Sequence, residues 1–334
     1  MLRAQVKTML MNKKSSNGFS LVELMVAMVV GLIIISGAFS LHSTTRKTQQ
    51  VNEAQMDMVA DARFAIEMMA YDLRHTGFWG GTNRGGLIDC RYKATSGAAA
   101  SCTASSAGET VPVALGGDCA QGWYYNLDVA VSASDGTNPF AGTCIPASEG
   151  YAASDVLQIR YAEATPPGAL LAGQAYVRSH FNGGRIFIGS TQPVLDSFDV
   201  NSLNHELHAY AYYVSDFTDA TGDGIPSLRR VALVNGPALQ NQTLVSGGTD
   251  LQVQFGVDLT GDKIADSYVD PSAGLDPTTV VAAKIWLLMR TDDKQNITKA
   301  KTYTLAGTDV TKGADGYRYF MVSSVINLRN LKQF

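Results

Sequence analysis

The first hydrophobic pattern in the chain is an apolar run from Leu21 to Leu41, in which Glu23 is the only charged residue. A helix needs about 20 apolar residues to cross the core of a bilayer, so this run is long enough to span a membrane. A carboxylate inside a spanning helix is costly and usually has a partner. The pattern therefore predicts a membrane-spanning helix that carries one functional carboxylate.

The second pattern is amphipathic and follows the apolar run. Apolar residues recur at helical spacings among charged ones, at Val51, Met58, Val59, Ala62, Ala65, Ile66, Met69 and Leu73. Gly77 is a natural helix stop. We therefore expect one long helix from Phe19 to about Arg74, with a membrane-spanning part and a part that packs on a folded domain.

The third pattern begins at Ser154, where apolar and polar residues alternate in short segments separated by Gly, Asn, Asp and Pro, as in an antiparallel meander. The predicted strands are 155–161, 185–188, 205–214, 228–233, 251–257, 280–290, 301–305 and 317–328. Residues 79–150 have no such period, so an irregular region is expected there. The predicted fold class is α+β, with the long N-terminal helix packed on an antiparallel β-sheet.

Charge indicates on which side of the membrane the chain lies. Arg3, Lys7, Lys13 and Lys14 all precede the apolar run, and basic residues tend to remain cytoplasmic. The rest of the chain is therefore expected to be exported. The formal net charge of −4 leaves no electrostatic footprint for nucleic acid, so no direct nucleic-acid site is evident.

The cysteines all fall within the irregular region, at Cys90, Cys102, Cys119 and Cys144. An even number of cysteines in an oxidising compartment predicts disulfides, here two. Zinc is disfavoured because no Cys-x-x-Cys pair and no nearby histidine is present. Three pairings are open, and we favour the sequential one, Cys90–Cys102 and Cys119–Cys144.

At the start of the apolar run the chain reads Gly18-Phe19-Ser20-Leu21-Val22-Glu23-Leu24. This segment closely resembles the processing site of type IV prepilins. The resemblance implies cleavage between Gly18 and Phe19 by a prepilin peptidase and methylation of the new amino group of Phe19. It also implies that Glu23 is the family's assembly glutamate. A start at Met9 or Met11 is open, and Met11 would leave the short basic leader that is usual in this family.

The position of this cleavage site separates the chain from an ordinary secreted protein. A secretory signal is cut after its apolar core, whereas here the cleavage site precedes the apolar run. Cleavage would place a positive amine at the head of an apolar helix, one turn before Glu23. In an assembled filament, the amine of one subunit and the buried carboxylate of its neighbour would then offset each other's desolvation.

Two further segments, Arg63 to Phe78 and Tyr317 to Asn330, are similar to the PilW group of minor pilins. The resemblance implies a minor pilin that joins a priming or tip complex and supports pilus assembly, twitching motility, adhesion or DNA uptake. Its partners would be other minor and major pilins, the prepilin peptidase and the inner-membrane assembly platform. It would cross the inner membrane once, with its bulk periplasmic, and later reach the pilus at the cell surface.

On this interpretation the chain has four parts. Residues 1–18 are the leader, and residues 19–76 are the long helix, with 21–41 transmembrane. Residues 77–150 form the cysteine-containing loop region, and residues 151–334 form the strand-rich periplasmic domain.

Two short segments share the pattern Asp-x-Thr-Gly-Asp-x-Ile-x-Ser/Asp, in which the oxygen side chains are spaced as in calcium loops. The better candidate comprises Asp258, Thr260, Asp262 and Asp266, and the weaker one Asp219, Thr221, Asp223 and Ser227. The EF-hand glutamate at position 12 is missing from both, since Arg230 and Val269 stand there. Tight hairpin turns, which favour the same residues, are the alternative interpretation.

Other classes of function remain as alternatives. One is a pseudopilin of type II secretion, although the tip pseudopilin of that system lacks the assembly glutamate. Another is a membrane-anchored periplasmic enzyme or a calcium-dependent adhesin that uses a prepilin anchor. We find no nucleophile elbow, phosphate loop or dinucleotide fingerprint, so no catalytic residue and no cofactor is predicted apart from the calcium alternative.

Overall fold

A computed structural model of the chain describes residues 18–92, 102–112, 122–140, 144–195, 201–272, 274–295 and 297–331. By its internal contacts the chain divides into two compact units, Met1–Glu53 and Ala54–Phe334. In the first unit, the described residues consist of the N-terminal part of one helix and the three residues before it. The second unit contains the rest of that helix and the strands.

The helix, α1, comprises Leu21–His75 and ends close to the predicted position. Gly77 follows it with φ of 78°, in the left-handed region that favours glycine. A Cβ at Gly77 would also come within 2.5 Å of the Leu331 side chain. The buried face of α1 largely follows the predicted stripe and consists of Met58, Ala62, Ala65, Ile66, Met69, Ala70, Asp72 and Leu73. Val51 and Val59, also predicted for the stripe, are only half-buried.

Asp72 departs from the predicted pattern, in which it is one of the polar residues between the apolar positions. It is 3% exposed, and its carboxylate accepts hydrogen bonds from the hydroxyl of Tyr161, at 2.8 Å, and from the hydroxyl of Tyr212. Burial raises the pKa of Asp72, and the two tyrosine hydrogen bonds oppose this rise. The carboxylate thus joins the last turns of α1 to the sheet beneath it.

Within the described residues, the strands form three sheets rather than the single sheet predicted. They are β1 Ile88–Asp89, β2 Val131–Ser134, β3 Val156–Ala162, β4 Ala175–His180, β5 Gly183–Ile188, β6 Leu203–Ser215, β7 Ser227–Val234, β8 Ala238–Ser246, β9 Gly248–Val257, β10 Ser267–Val269, β11 Val280–Arg290, β12 Lys301–Leu305, β13 Thr308–Lys312 and β14 Tyr319–Asn327. The first sheet has the order β1-β5-β4-β6-β3-β2, and β7 and β8 join it through β6. The second has the order β10-β9-β11-β14, and β12 and β13 form a separate hairpin.

The predicted fold class is confirmed, since α1 packs on sheets whose described pairings are antiparallel except for β1 with β5. All the strands predicted from alternation are present, although the strand order of the first sheet is not that of a meander. β1 and β2 lie within the region expected to be irregular, and β4, β8, β10 and β13 were not predicted.

Of three buried clusters among the described residues, the two larger ones lie on opposite faces of the first sheet. The buried face of α1 packs against residues of both large sheets, including Leu157, Tyr212, Leu251 and Ile285. On the opposite face of the first sheet, aromatic residues that precede β2 cover alternate positions of β6, among them Ala211 and Tyr213. Alternation along β6 therefore places Tyr212 in one layer and its two neighbours in the other.

Arg160, on β3, secures the segment before β2. The residue is 2% exposed, and its guanidinium donates to the backbone carbonyls of Trp123 and Val129 and, at 2.7 Å, to Gln158 Oε1. Its Cζ also lies 5.3 Å from the centroid of the Trp123 ring. Burial lowers the pKa of Arg160 to about 9, so the group remains cationic at neutral pH.

Arg160→Met is expected to destabilise the fold by about 2 kcal/mol, because the carbonyl of Val129 would lose the donor that Arg160 supplies and the carbonyl of Trp123 would keep only the amide of Asn126. Urea denaturation of the full chain in detergent measures this loss. Arg84→Met is the matched control, since Arg84 is exposed and the same substitution there should change stability by about 0.5 kcal/mol or less. Equal stability of the two variants would contradict the role of Arg160.

Asp155 joins the two large sheets through its side chain. Its Oδ2 accepts the amide of Val253 on β9 at 2.7 Å, and its Oδ1 accepts the amide of Gly136 at 3.0 Å. Burial raises the pKa of Asp155 to about 6, although these two hydrogen bonds lower it. The folded state therefore holds this proton more tightly than the unfolded chain, in which the pKa of aspartate is about 3.9.

We expect the contribution of Asp155 to stability to be greatest below about pH 4 and to fall as the pH rises through about 6. Asp155→Asn should remove this trend, because the amide does not titrate. Urea midpoints for both proteins at pH 4, 5, 6 and 7 test the expectation. A stability difference between the two proteins that stays constant over this range would rule out the assigned titration.

Candidate functional site

The predicted processing site lies directly before α1. Gly18, Phe19 and Ser20 are exposed, and the Phe19 side chain is 86% exposed. A Cβ built on Gly18 meets no atom within 4 Å. The fold therefore makes no demand for glycine at position 18, and any requirement for it must come from a molecule that acts on this segment.

Glu23 lies in the first turn of α1 and takes part in a capping box. Its Oε2 accepts the backbone amide of Ser20 at 2.9 Å, while Ser20 Oγ accepts the amide of Val22 at 3.3 Å. These contacts satisfy amides that the first helical turn leaves without partners. This role of Glu23 was not predicted, although Ser-x-x-Glu before an apolar run is its recognised signal.

The residues after Glu23 form a long, exposed apolar surface. Large side chains from Leu24 to Leu41 are about half exposed or more, as Ile33 at 67% and Phe39 at 74% illustrate. By length and composition, α1 could cross a membrane, and its most apolar stretch of 18 residues is not buried within the protein. An isolated apolar surface of this size is stable in a lipid bilayer or against other apolar helices.

The cysteine region contains one of the predicted disulfides. Cys90 and Cys102 are bonded, with Cα atoms 5.1 Å apart, so this pair is confirmed. Beside it, Arg185 Nε donates to Glu109 Oε1 at 2.6 Å, which ties the segment after Cys102 to β5. Cys119 lies outside the described residues, so the pair Cys119–Cys144 stays a prediction.

The weaker calcium candidate is the loop between β6 and β7. The carboxylate of Asp223 accepts the amides of Thr218, Asp219, Ala220 and Ile225. These amides, that of Ile225 above all, lower the pKa of Asp223 to about 2. The carbonyl at the seventh position, that of Ile225, accepts the hydroxyl of Thr218 at 2.8 Å. The loop oxygens therefore stabilise the turn itself.

The better calcium candidate, between β9 and β10, has a similar arrangement. Asp258 accepts the amides of Thr260, Gly261 and Lys263, and Asp266 accepts the amides of Leu259 and Thr260. Asp262 accepts the amide of Ile264 at 2.9 Å. Among the described residues, no three His, Cys, Asp or Glu side chains form a group that could hold a metal ion. Calcium at either loop stays an untested prediction, and the turn interpretation accounts for the contacts.

Two family models of known proteins match different parts of the chain. The family model of the prokaryotic N-terminal methylation motif matches residues 13–39, which include Gly18, Phe19 and Glu23. The family model of type IV pilus-assembly protein W, PilW, matches residues 211–330, from within β6 to beyond β14. No curated protein matches the chain significantly, and no solved structure does so either.

Proposed function

The chain is a PilW-like type IV pilin, and from this premise we propose that it acts as a minor pilin in the priming or tip complex of the pilus. One observation carries the proposal: the methylation motif, at residues 13–39, overlaps the start of a long helix whose apolar part is exposed. Prepilin peptidase would cut between Gly18 and Phe19, and Phe19 would then be N-methylated.

Glu23 would guide the subunit into the filament. Its hydrogen bond to Ser20 uses Oε2, which leaves Oε1 for a second donor. The amine of a neighbouring subunit's first residue would supply that donor once both helices leave the lipid. A buried carboxylate without a cation is costly, so this pairing would favour correctly aligned subunits over misaligned ones.

The second unit would supply the contacts with other subunits. Its partners would be other minor pilins and the major pilin, and the inner-membrane assembly platform would load it. As part of the pilus, the protein would support twitching motility, adhesion or DNA uptake. We propose no enzymatic activity and no cofactor; the match to type IV pilus-assembly protein W supports a structural role.

The test is to express the full-length chain with and without prepilin peptidase and to read the mature N-terminus by mass spectrometry. A chain that begins at N-methylated Phe19, and that is recovered in sheared pili, is the expected result. Recovery with secretion components instead would identify a type II secretion pseudopilin. A chain that stays uncut beside an active peptidase would overturn the proposal and favour the membrane-anchored enzyme or adhesin.

A further inference from the structure

Strand β14 forms one edge of the second sheet, and its register with β11 shows which of its peptide groups are free. Thr291 N donates to Arg318 O at 2.9 Å, and Leu328 N donates to Val281 O at 3.0 Å. Backbone N–H and C=O groups alternate in direction along a strand. In β14, those of the even-numbered residues therefore point towards β11. The odd-numbered ones, including Met321, Ser323 and Val325, point their N–H and C=O groups away from the sheet.

Most of this edge is open. The carbonyl of Tyr319 accepts the hydroxyl of Tyr303 at 2.9 Å, so the first position is covered. From Met321 to Asn327, no strand among the described residues pairs with the outer edge. Ser323, Val325 and Asn327 are exposed, Val325 to 55%.

The other ends of the two large sheets are less suited to a long pairing. β1, β10 and β2 contain 2, 3 and 4 residues, which are too few to template a long pairing. β8 has 9 residues, but a register shift interrupts its ladder with β7, and amide side chains occupy its centre. β14 also has 9 residues, and it has no register shift, charge, proline or glycine. A long edge of this kind normally has a partner.

We infer that a strand of a different pilin-type subunit adds to the outer edge of β14 and extends the second sheet; this rests on the proposed function. The pairing would supply hydrogen bonds to Met321, Ser323, Val325 and Asn327. Phe320 and Val322 pack on the core but stay partly exposed, so apolar residues on that face of the incoming strand would complete their burial.

A second copy of this chain, paired antiparallel through its own β14, does not fit that position. Two copies of β14 paired antiparallel are related by a two-fold axis perpendicular to the sheet. Such an axis reverses every direction in the plane of the sheet, so the α1 segments packed on the two sheets would run antiparallel. Subunits of one filament enter it with their helices in the same direction. The neighbouring strand must therefore offer a different edge. The other terminal strands of this chain are short, or in β8 interrupted by a register shift, so we assign the strand to a different subunit.

Two substitutions block the edge without disturbing the sheet itself. Ser323→Pro removes an N–H that points outward, which an edge strand tolerates. Val325→Lys places a charge on the edge, as natural proteins do to prevent pairing. Val325→Thr is the matched control, because threonine keeps the branched shape without a charge. Thermal melting of each purified full-length variant in detergent verifies that it folds.

The assay compares the amount of each variant in sheared pili and in the inner membrane. We expect wild type and Val325→Thr to be recovered equally, and the two blocking variants to be about tenfold lower in pili. A photo-crosslinker at position 325 of the otherwise unchanged chain should trap a different pilin-type subunit. Wild-type recovery of both blocking variants, or a crosslink to a second copy, overturns the inference but not the proposed function. Absence of the wild-type chain from pili overturns both.

Discussion

Gly18→Val is expected to leave the whole chain at precursor size, with residues 1–18 still attached, in cells that contain active prepilin peptidase. Nothing within 4 Å of the Gly18 Cβ position would prevent the protein from accepting valine. A peptidase, however, must bring its catalytic groups close to the backbone on both sides of the scissile bond, and only glycine presents no side chain there. The measurement is the intact mass and N-terminal sequence of the purified chain.

Gly37→Val serves as the matched control for this experiment. Gly37 also has no atom within 4 Å of its Cβ position, and it lies within α1, which Gly18 precedes. The same substitution there should leave processing unchanged, which separates an effect on the cleavage site from an effect on helix insertion. A mature chain from Gly18→Val would show that the leader is cut elsewhere or not by this peptidase.

The helix was the part most accessible from sequence, because it depends on a local pattern. The processing site also rests on a local motif, and it stays a prediction. The apolar run and the stripe from Met58 to Leu73 have the helical period, and the structure confirms the helix and its buried face. The alternating segments were likewise found as strands. β8 was missed because its central residues Gln240, Asn241 and Gln242 interrupt the alternation, and it is held by pairing with β7 instead.

The roles of buried polar residues could not be predicted in this way. Asp72 and Arg160 occupy positions where hydropathy favours exposure, and their partners lie far away along the chain: Tyr212 for Asp72, and Val129 for Arg160. Such contacts form only when separate elements pack together, so no local pattern contains them. The open edge of β14 is likewise a property of strand order, which connects β14 to β11 and leaves its other side free.

Replacing Glu23 with glutamine is expected to separate the two roles of this side chain. Glutamine can still accept the Ser20 amide, since a capping box accepts Glu or Gln, so the start of α1 should be preserved. It has no charge, however, and cannot neutralise the amine of a neighbouring subunit. Leaving a buried charge unpaired costs about 3–5 kcal/mol, so recovery in sheared pili should fall about a hundredfold or more.

Glu23→Ala should lose both roles, and Ser20→Ala only the cap. Loss of an N-cap side chain costs about 1 kcal/mol, so Ser20→Ala should be recovered in pili within about tenfold of wild type. All three variants should still begin at N-methylated Phe19, because Gly18 is intact in each. If Glu23→Gln enters pili at the wild-type level while Ser20→Ala does not, the helix cap and not the charge is what assembly requires. Equal loss in Glu23→Gln and Glu23→Ala, with Ser20→Ala nearly normal, assigns assembly to the charge.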